Sequence, residues 1–142
     1  MGRTVIEFPN KVDFSTDYTV LIADINSADH LGADRLFTIV IESQMRFFAH
    51  LGYANAKLVE GVGYIMSDTE FIFKSEAKHG DTLLIDVAAT NFTSKGFELL
   101  YRIHNSTKER PLALVKAGMV FFDYDSGRVQ AVPAAFKAKF RD

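Results

Sequence analysis

Residues 24–34 gather Asp24, Asn26, Asp29, His30 and Asp34 into one short run. An imidazole with a reference pKa of about 6.5 both donates and accepts protons near neutral pH, so His30 is a candidate acid or base. A carboxylate such as Asp34 can serve as general base or nucleophile. Asn26 can orient a water or contact a carbonyl, but an amide is neither base nor nucleophile. Asp24 can hold the run in shape by accepting loop N–H bonds. Asp24, Asp29, His30 and Asp34 are metal-ligand types, yet their spacing matches no established metal motif, and no metal is expected. The chain has no cysteine, which removes thiol nucleophiles, disulfides and Cys-based zinc sites.

The segment after this run must position it. Leu36, Phe37, Val40, Ile41, Phe47, Phe48 and Leu51 recur at helical spacing, and Ile39 and Met45 widen the stripe. The pattern predicts a helix from Ala33 or Asp34 to about Leu51, with Gly52 as its stop. Gly32, Ala33 and Asp34 then sit at a helix N-terminus, where backbone N–H groups are unpaired and negative charge is favoured. Plain helix capping by the same residues is the other reading. Glu42 and Arg46 lie four apart on the polar stripe with the acid first, the favourable order for a pair. Glu42 is thus either a structural partner of Arg46 or a base at a subunit seam.

The remaining segments read as strands. Residues 4–8 suggest a short edge strand stopped by Pro9. Residues 12–25 predict a first strand that delivers Asp24 to the cluster, and 64–75, 82–94, 97–105 and 112–124 predict four more. Lys95-Gly96 marks a hairpin turn. Residues 54–58 have helical tendency, and 133–140 suggest a short terminal helix. One long helix cannot supply the crossovers of a parallel sheet, so the sheet should be largely antiparallel. The expected architecture is α+β: a five-stranded sheet curled around one central helix, in a single domain over residues 1–142.

Composition bounds the function classes. At 142 residues the chain can bury a core, and its 13 Phe and 5 Tyr supply much of it. A formal net charge of −2 with mixed signs argues against a nucleic-acid binder. No run of eighteen apolar residues is present, so no membrane span is expected. Glu7, Lys11 and Asp13 leave no apolar core for a secretion signal, and a cytoplasmic protein is expected.

The element order is that of the hotdog fold, and the motif run narrows it. The chain resembles acyl-CoA thioesterases of the 4-hydroxybenzoyl-CoA thioesterase-like group. The resemblance rests on Asp24-Ile25-Asn26, on Asp29-His30, and on Glu42 through Arg46-Phe47 before Leu51-Gly52. It is strongest for a subgroup with Asn-x-x-x-His-Leu-Gly-x-Asp, here Asn26, His30, Leu31, Gly32 and Asp34. It covers residues 20–140. It implies hydrolysis of an acyl-CoA or acyl-carrier-protein thioester. The carbonyl would be polarised by N–H groups at Gly32, Ala33 and Asp34, a kind of donor whose loss costs on the order of 10²–10³ in rate. Water would be activated by a carboxylate.

The group places its catalytic acid where this chain has Asn26, or Ser27 if the helix fixes the alignment. The implied base therefore falls to Asp34, Glu42 or His30, or the chain binds thioesters without cleaving them. A related hydratase or dehydratase motif, Asp-x-Asn-Pro-x-His, is met by Asp24 and Asn26. Ser27 stands where that motif has Pro, and His30 comes one residue late. No cofactor is implied beyond coenzyme A as part of the substrate. Arg35, Lys57, Lys74, Lys95 and Arg102 are candidates for its phosphates, and Tyr64 and Met66 for an acyl tunnel. The fold leaves a sheet edge open, which predicts a homodimer or homotetramer.

Overall fold

One face of the central helix is buried along its whole length, and this decides the architecture. The computed structural model describes residues 5–53 and 57–140. Helix α1 (Ala33–His50) buries Leu36, Ile39, Val40, Ser43, Gln44, Phe47 and Phe48, an apolar face with two polar side chains set into it. The helix ends where the chain reaches Gly52, whose φ of +99° is open to glycine at no steric cost. Arg46 braces α1 from the outside. Its guanidinium donates to Glu42 at 2.8 Å, to the Thr16 hydroxyl at 2.8 Å and to the Asp17 carbonyl at 2.7 Å.

The sheet has six strands: β1 (Phe14–Thr19), β2 (Gly63–Phe73), β3 (Thr82–Thr90), β4 (Gly96–Asn105), β5 (Arg110–Asp123) and β6 (Arg128–Val129). All pairings are antiparallel. The order is β1-β3-β4-β5-β2, with β6 on β5. Alternation sets the inner face: Leu83, Ile85, Val87 and Ala89 of β3 and Val115, Ala117, Met119 and Phe121 of β5 join the α1 residues in one core. A short helix, α2 (Ala134–Lys137), inserts Phe136 among Phe48, Phe97 and Phe121 and adds to this aromatic core. The result is a hotdog fold, a sheet wrapped on one long helix.

The structure corrects several expectations. The first strand is shorter than residues 12–25. It stops at Thr19, and a 3₁₀ turn (Ile22–Asp24) succeeds it, because the Asp24 carboxylate reaches back to the Leu21 N–H at 2.8 Å. Residues 5–8 form no strand; they lie over the outer face of the sheet, where Phe8 stacks on the Arg102 guanidinium at 4.4 Å. The sheet has a sixth strand, short and paired only through Phe122–Val129 and Asp123–Arg128. The helical tendency of 54–58 falls on residues of which 54–56 lie outside the described ones.

Strand β2 is an edge of this order. Beside it the outer stripe of α1 shows Phe37 and Met45 to solvent, and Phe37 meets Phe71 of β2 with ring centroids 5.9 Å apart.

Candidate active site

The link between β1 and α1 is a small pinned hairpin. Ile25 and Leu31 form an isolated antiparallel bridge. Inside it the Asn26 N–H donates to the His30 carbonyl at 2.8 Å, and Asp29 takes a φ of +68°. The Asn26 Oδ1 accepts the Ala28 and His30 N–H groups at 3.0 and 3.2 Å. This is what Asn does well in a turn, and it commits that oxygen to holding the loop.

Asp24 lies beneath the hairpin, 2% exposed. It accepts from the Tyr18 hydroxyl at 2.7 Å, the Leu21 N–H at 2.8 Å and the Arg35 Nε at 3.1 Å. Burial works against its ionisation, but these donors outweigh burial and hold its carboxyl below the usual aspartate range. The Tyr18 hydroxyl is pushed the other way, to about 12, first by burial and then by Asp24. Asp24 thus joins β1, the 3₁₀ turn and α1, and it has no open face for a substrate.

The first turn of α1 is set by the next contacts. The Gly32 N–H is spent on the Asp24 carbonyl at 3.0 Å, and the Gly32 carbonyl accepts from Leu36 at 2.9 Å. Among the described residues, the N–H groups of Ala33, Asp34 and Arg35 have no acceptor, and no side chain caps the helix. Gly32 needs no unusual φ. Its hydrogen leaves room for Asp34, since a Cβ there would stand 2.5 Å from Asp34 Oδ1. Asp34 therefore folds back against the helix start.

A groove of about 590 Å³ opens beside this turn, lined by His30, Ala33, Phe73, Lys74, Glu76 and Arg110 among others. His30 Nε2 stands 2.7 Å from Glu76 Oε2, and Lys78 Nζ is 3.9 Å from the other Glu76 oxygen. The segment beyond β2 that carries Glu76 is held by several bonds, three of them near Glu76 itself. Leu31 donates to the Ala77 carbonyl at 2.8 Å, Arg110 to the Glu76 carbonyl at 3.0 Å, and the Ser75 hydroxyl to the Pro111 carbonyl at 2.6 Å.

The hairpin and first helical turn thus hold Asn26, His30, Gly32, Ala33 and Asp34 in one place, with Asp24 below them. Glu42 is elsewhere. It lies eight residues along α1 from Asp34, roughly 12 Å by helical rise, exposed and paired with Arg46 at 2.8 Å. Glu76 is not among the residues that the sequence singles out. It is separated from His30 by α1 and β2, and only the fold brings the two together. Its one sequence signal is an acid just beyond a strand end. Among the described residues, no group of three or more His, Asp and Glu is arranged to hold a metal ion.

The geometry offers unpaired N–H donors at a helix start, an imidazole held by a carboxylate, and a cationic rim at Lys74 and Arg110. That set can stabilise an oxyanion and move a proton. A model of the thioesterase-like superfamily matches residues 20–140. No curated protein sequence matches the chain. Among solved structures, the 4-hydroxybenzoyl-CoA thioesterase of Pseudomonas sp. strain CBS-3 is similar at a TM-score of 0.78 and 15% identity, over 89% of this chain and 98% of that one. The 1,4-dihydroxy-2-naphthoyl-CoA thioesterase of Synechocystis is similar at a TM-score of 0.76 and 15% identity, over 89% and 93%. A gentisyl-coenzyme A thioesterase is similar at 0.77 and 17%, over 87% and 99%.

Proposed function

The chain belongs to the thioesterase-like superfamily, and we propose that it is a thioesterase that hydrolyses an acyl-CoA or acyl-carrier-protein thioester at the start of α1. The observation that carries this reading is the first turn of the helix. Its N–H groups at Ala33, Asp34 and Arg35 are unpaired among the described residues, and Ala33 opens onto a groove of about 590 Å³ that also takes in His30. A thioester carbonyl seated there gains donors as its oxygen becomes negative, and the helix start favours that charge. Water is then activated by a base at the same turn, where His30 and Asp34 are the available groups. The motif Asn26, His30, Leu31, Gly32 and Asp34 assigns the chain to the Asn-x-x-x-His-Leu-Gly-x-Asp subgroup within this reading.

Of the candidate phosphate cations, Lys74 lines the groove, while Arg35 is held by Asp24 and Arg102 by Asp86 at 2.8 Å. Lys74 and Arg110 therefore meet the phosphates of coenzyme A in this reading. The edge strand β2 and the apolar outer stripe of α1 support pairing with a second copy, which would bring the groove near the seam.

The test offers the purified protein benzoyl-CoA and straight-chain acyl-CoAs and monitors free thiol with a colour reagent. Steady release of thiol is expected. Saturable binding without thiol release makes the chain a thioester binder, and hydration of an enoyl-CoA without thiol release makes it a hydratase; either result overturns the proposal.

A further inference from the structure

We propose that His30 is the base that activates water and that Glu76 is the positioning residue that holds it ready, the pair taking the place of the carboxylate absent at position 26. This rests on the thioesterase reading and supplies its proton acceptor.

His30 Nε2 and Glu76 Oε2 are 2.7 Å apart. An ionised carboxylate only accepts hydrogen bonds, so the nitrogen facing it carries the proton. A neutral imidazole has one N–H and one lone pair, and the lone pair is therefore on Nδ1. Among the described residues nothing hydrogen-bonds to Nδ1. The pair is built into the backbone: Leu31, next to His30, donates to the carbonyl of Ala77, next to Glu76, at 2.8 Å. One bond between neighbours thus brings the two residues alongside each other, within reach of the side-chain contact. The Asn26 Oδ1 accepts from the His30 N–H and Arg110 donates to the Glu76 carbonyl, so the backbone is tied down at both positions, while the two side chains are 36% and 44% exposed. This is the logic by which a carboxylate sets the tautomer of a catalytic histidine, with the two ring nitrogens exchanged.

Asp34 is the rival base, and its placement argues against it. His30 and Glu76 line the groove with Ala33; Asp34 does not. Its carboxylate lies against Gly32, beside the same N–H groups that would receive the oxyanion. A negative charge there opposes the negative charge that builds up in the transition state.

In the first half of the reaction the water oxygen bonds to the thioester carbon as His30 Nδ1 takes one water proton, and the carbonyl pair moves to oxygen. The oxyanion then collapses, the C–S bond breaks with its pair on sulfur, and the imidazolium returns the proton to that sulfur. Water and thioester become acid and thiol, and His30 ends neutral. Glu76 stays ionised throughout and steadies the imidazolium between the two transfers.

The test uses the full chain as wild type, Glu76→Gln, Glu76→Asp and His30→Gln, with kinetics on a cleaved acyl-CoA and ¹⁵N NMR of the histidine rings. His30 is assigned among the four histidines by its loss in His30→Gln. Glu76→Gln should lower kcat 10- to 100-fold with KM within twofold, and Glu76→Asp should recover part of the loss. In the wild type at pH 8, Nε2 should carry the proton and Nδ1 should be bare. A merely structural Glu76 would lower the melting temperature and leave kcat per folded molecule unchanged; that result overturns the proposal, as does a proton on Nδ1. If the wild type cleaves no acyl-CoA, the thioesterase reading and the catalytic role fall together. The NMR arm still decides whether Glu76 sets the tautomer.

Discussion

Asp24→Asn isolates what holds the site in place. Asp24 Oδ2 accepts the Tyr18 hydroxyl and the Leu21 N–H, and Oδ1 accepts Arg35 Nε. An asparagine can keep the first two on its one oxygen. Its NH₂ then faces the Arg35 donor, and that bond is lost. Arg35 is 41% exposed and turns to water, which discounts the loss. Hydrogen bonds to charged groups contribute about 1.5–3 kcal/mol against about 1 for neutral ones, so one discounted loss and two weakened bonds sum to about 2 kcal/mol. In a chain of this length that is roughly 7 °C in Tm. The pH dependence comes from the lowered carboxyl. Burial opposes ionisation, but the Leu21, Tyr18 and Arg35 donors outweigh it. The stabilisation is therefore whole above the unfolded aspartate value of about 3.9 and lost as pH falls through the lower folded one. Asp81, also buried, has its carboxyl lowered too: burial opposes this, but donors from Asn105, Lys108 and Lys78 prevail. It contributes acid sensitivity to both proteins alike. Urea unfolding monitored by circular dichroism from pH 3 to pH 7 reads the difference. The gap should be full at pH 5–7 and close below pH 4. A gap of the same size at pH 3 would refute the role given to the charge.

Two further outcomes are expected. The Tyr101 hydroxyl is fully buried and, among the described residues, has no hydrogen-bond partner. Tyr101→Phe removes an unsatisfied polar group, so thermal unfolding should show equal stability or a gain of up to about 1 kcal/mol. A loss of that size would mean that the hydroxyl is bonded. In solution, light scattering at micromolar concentration should give two or four times the 15.9 kDa of one chain. A monomer would contradict the pairing through β2.

Much of the fold is legible in the sequence because its signals are local. The apolar residues of α1 recur at helical spacing, and the expected helix from Ala33 or Asp34 to about Leu51 is observed as Ala33–His50. The strands β2 to β5 announce themselves by alternation, although their ends shift by a few residues, whereas the two-residue β6 is too short to do so. The features that escape such reading depend on distant partners. Residues 20–25 are as β-prone as 14–19, yet the Asp24 carboxylate turns them into a tight bend by reaching Leu21 and Arg35. Asp24 is legible as an acid that accepts loop N–H bonds, but its burial and its bonds to Tyr18 and Arg35 depend on the fold. Glu42 is equally acidic in sequence; its pairing with Arg46, one of the two readings its spacing allows, ties it to the brace on β1. The Glu76–His30 contact spans a helix and a strand, and no spacing rule connects them.

The most direct measurement is thiol release from a panel of acyl-CoAs by the wild type and by His30→Gln, side by side. Turnover by the wild type is expected, with a loss of at least 100-fold in kcat in the variant and KM little changed. Turnover at the wild-type rate without His30 would contradict the proton acceptor assigned here. No turnover by the wild type on any acyl-CoA would contradict thioester hydrolysis at the α1 N-terminus.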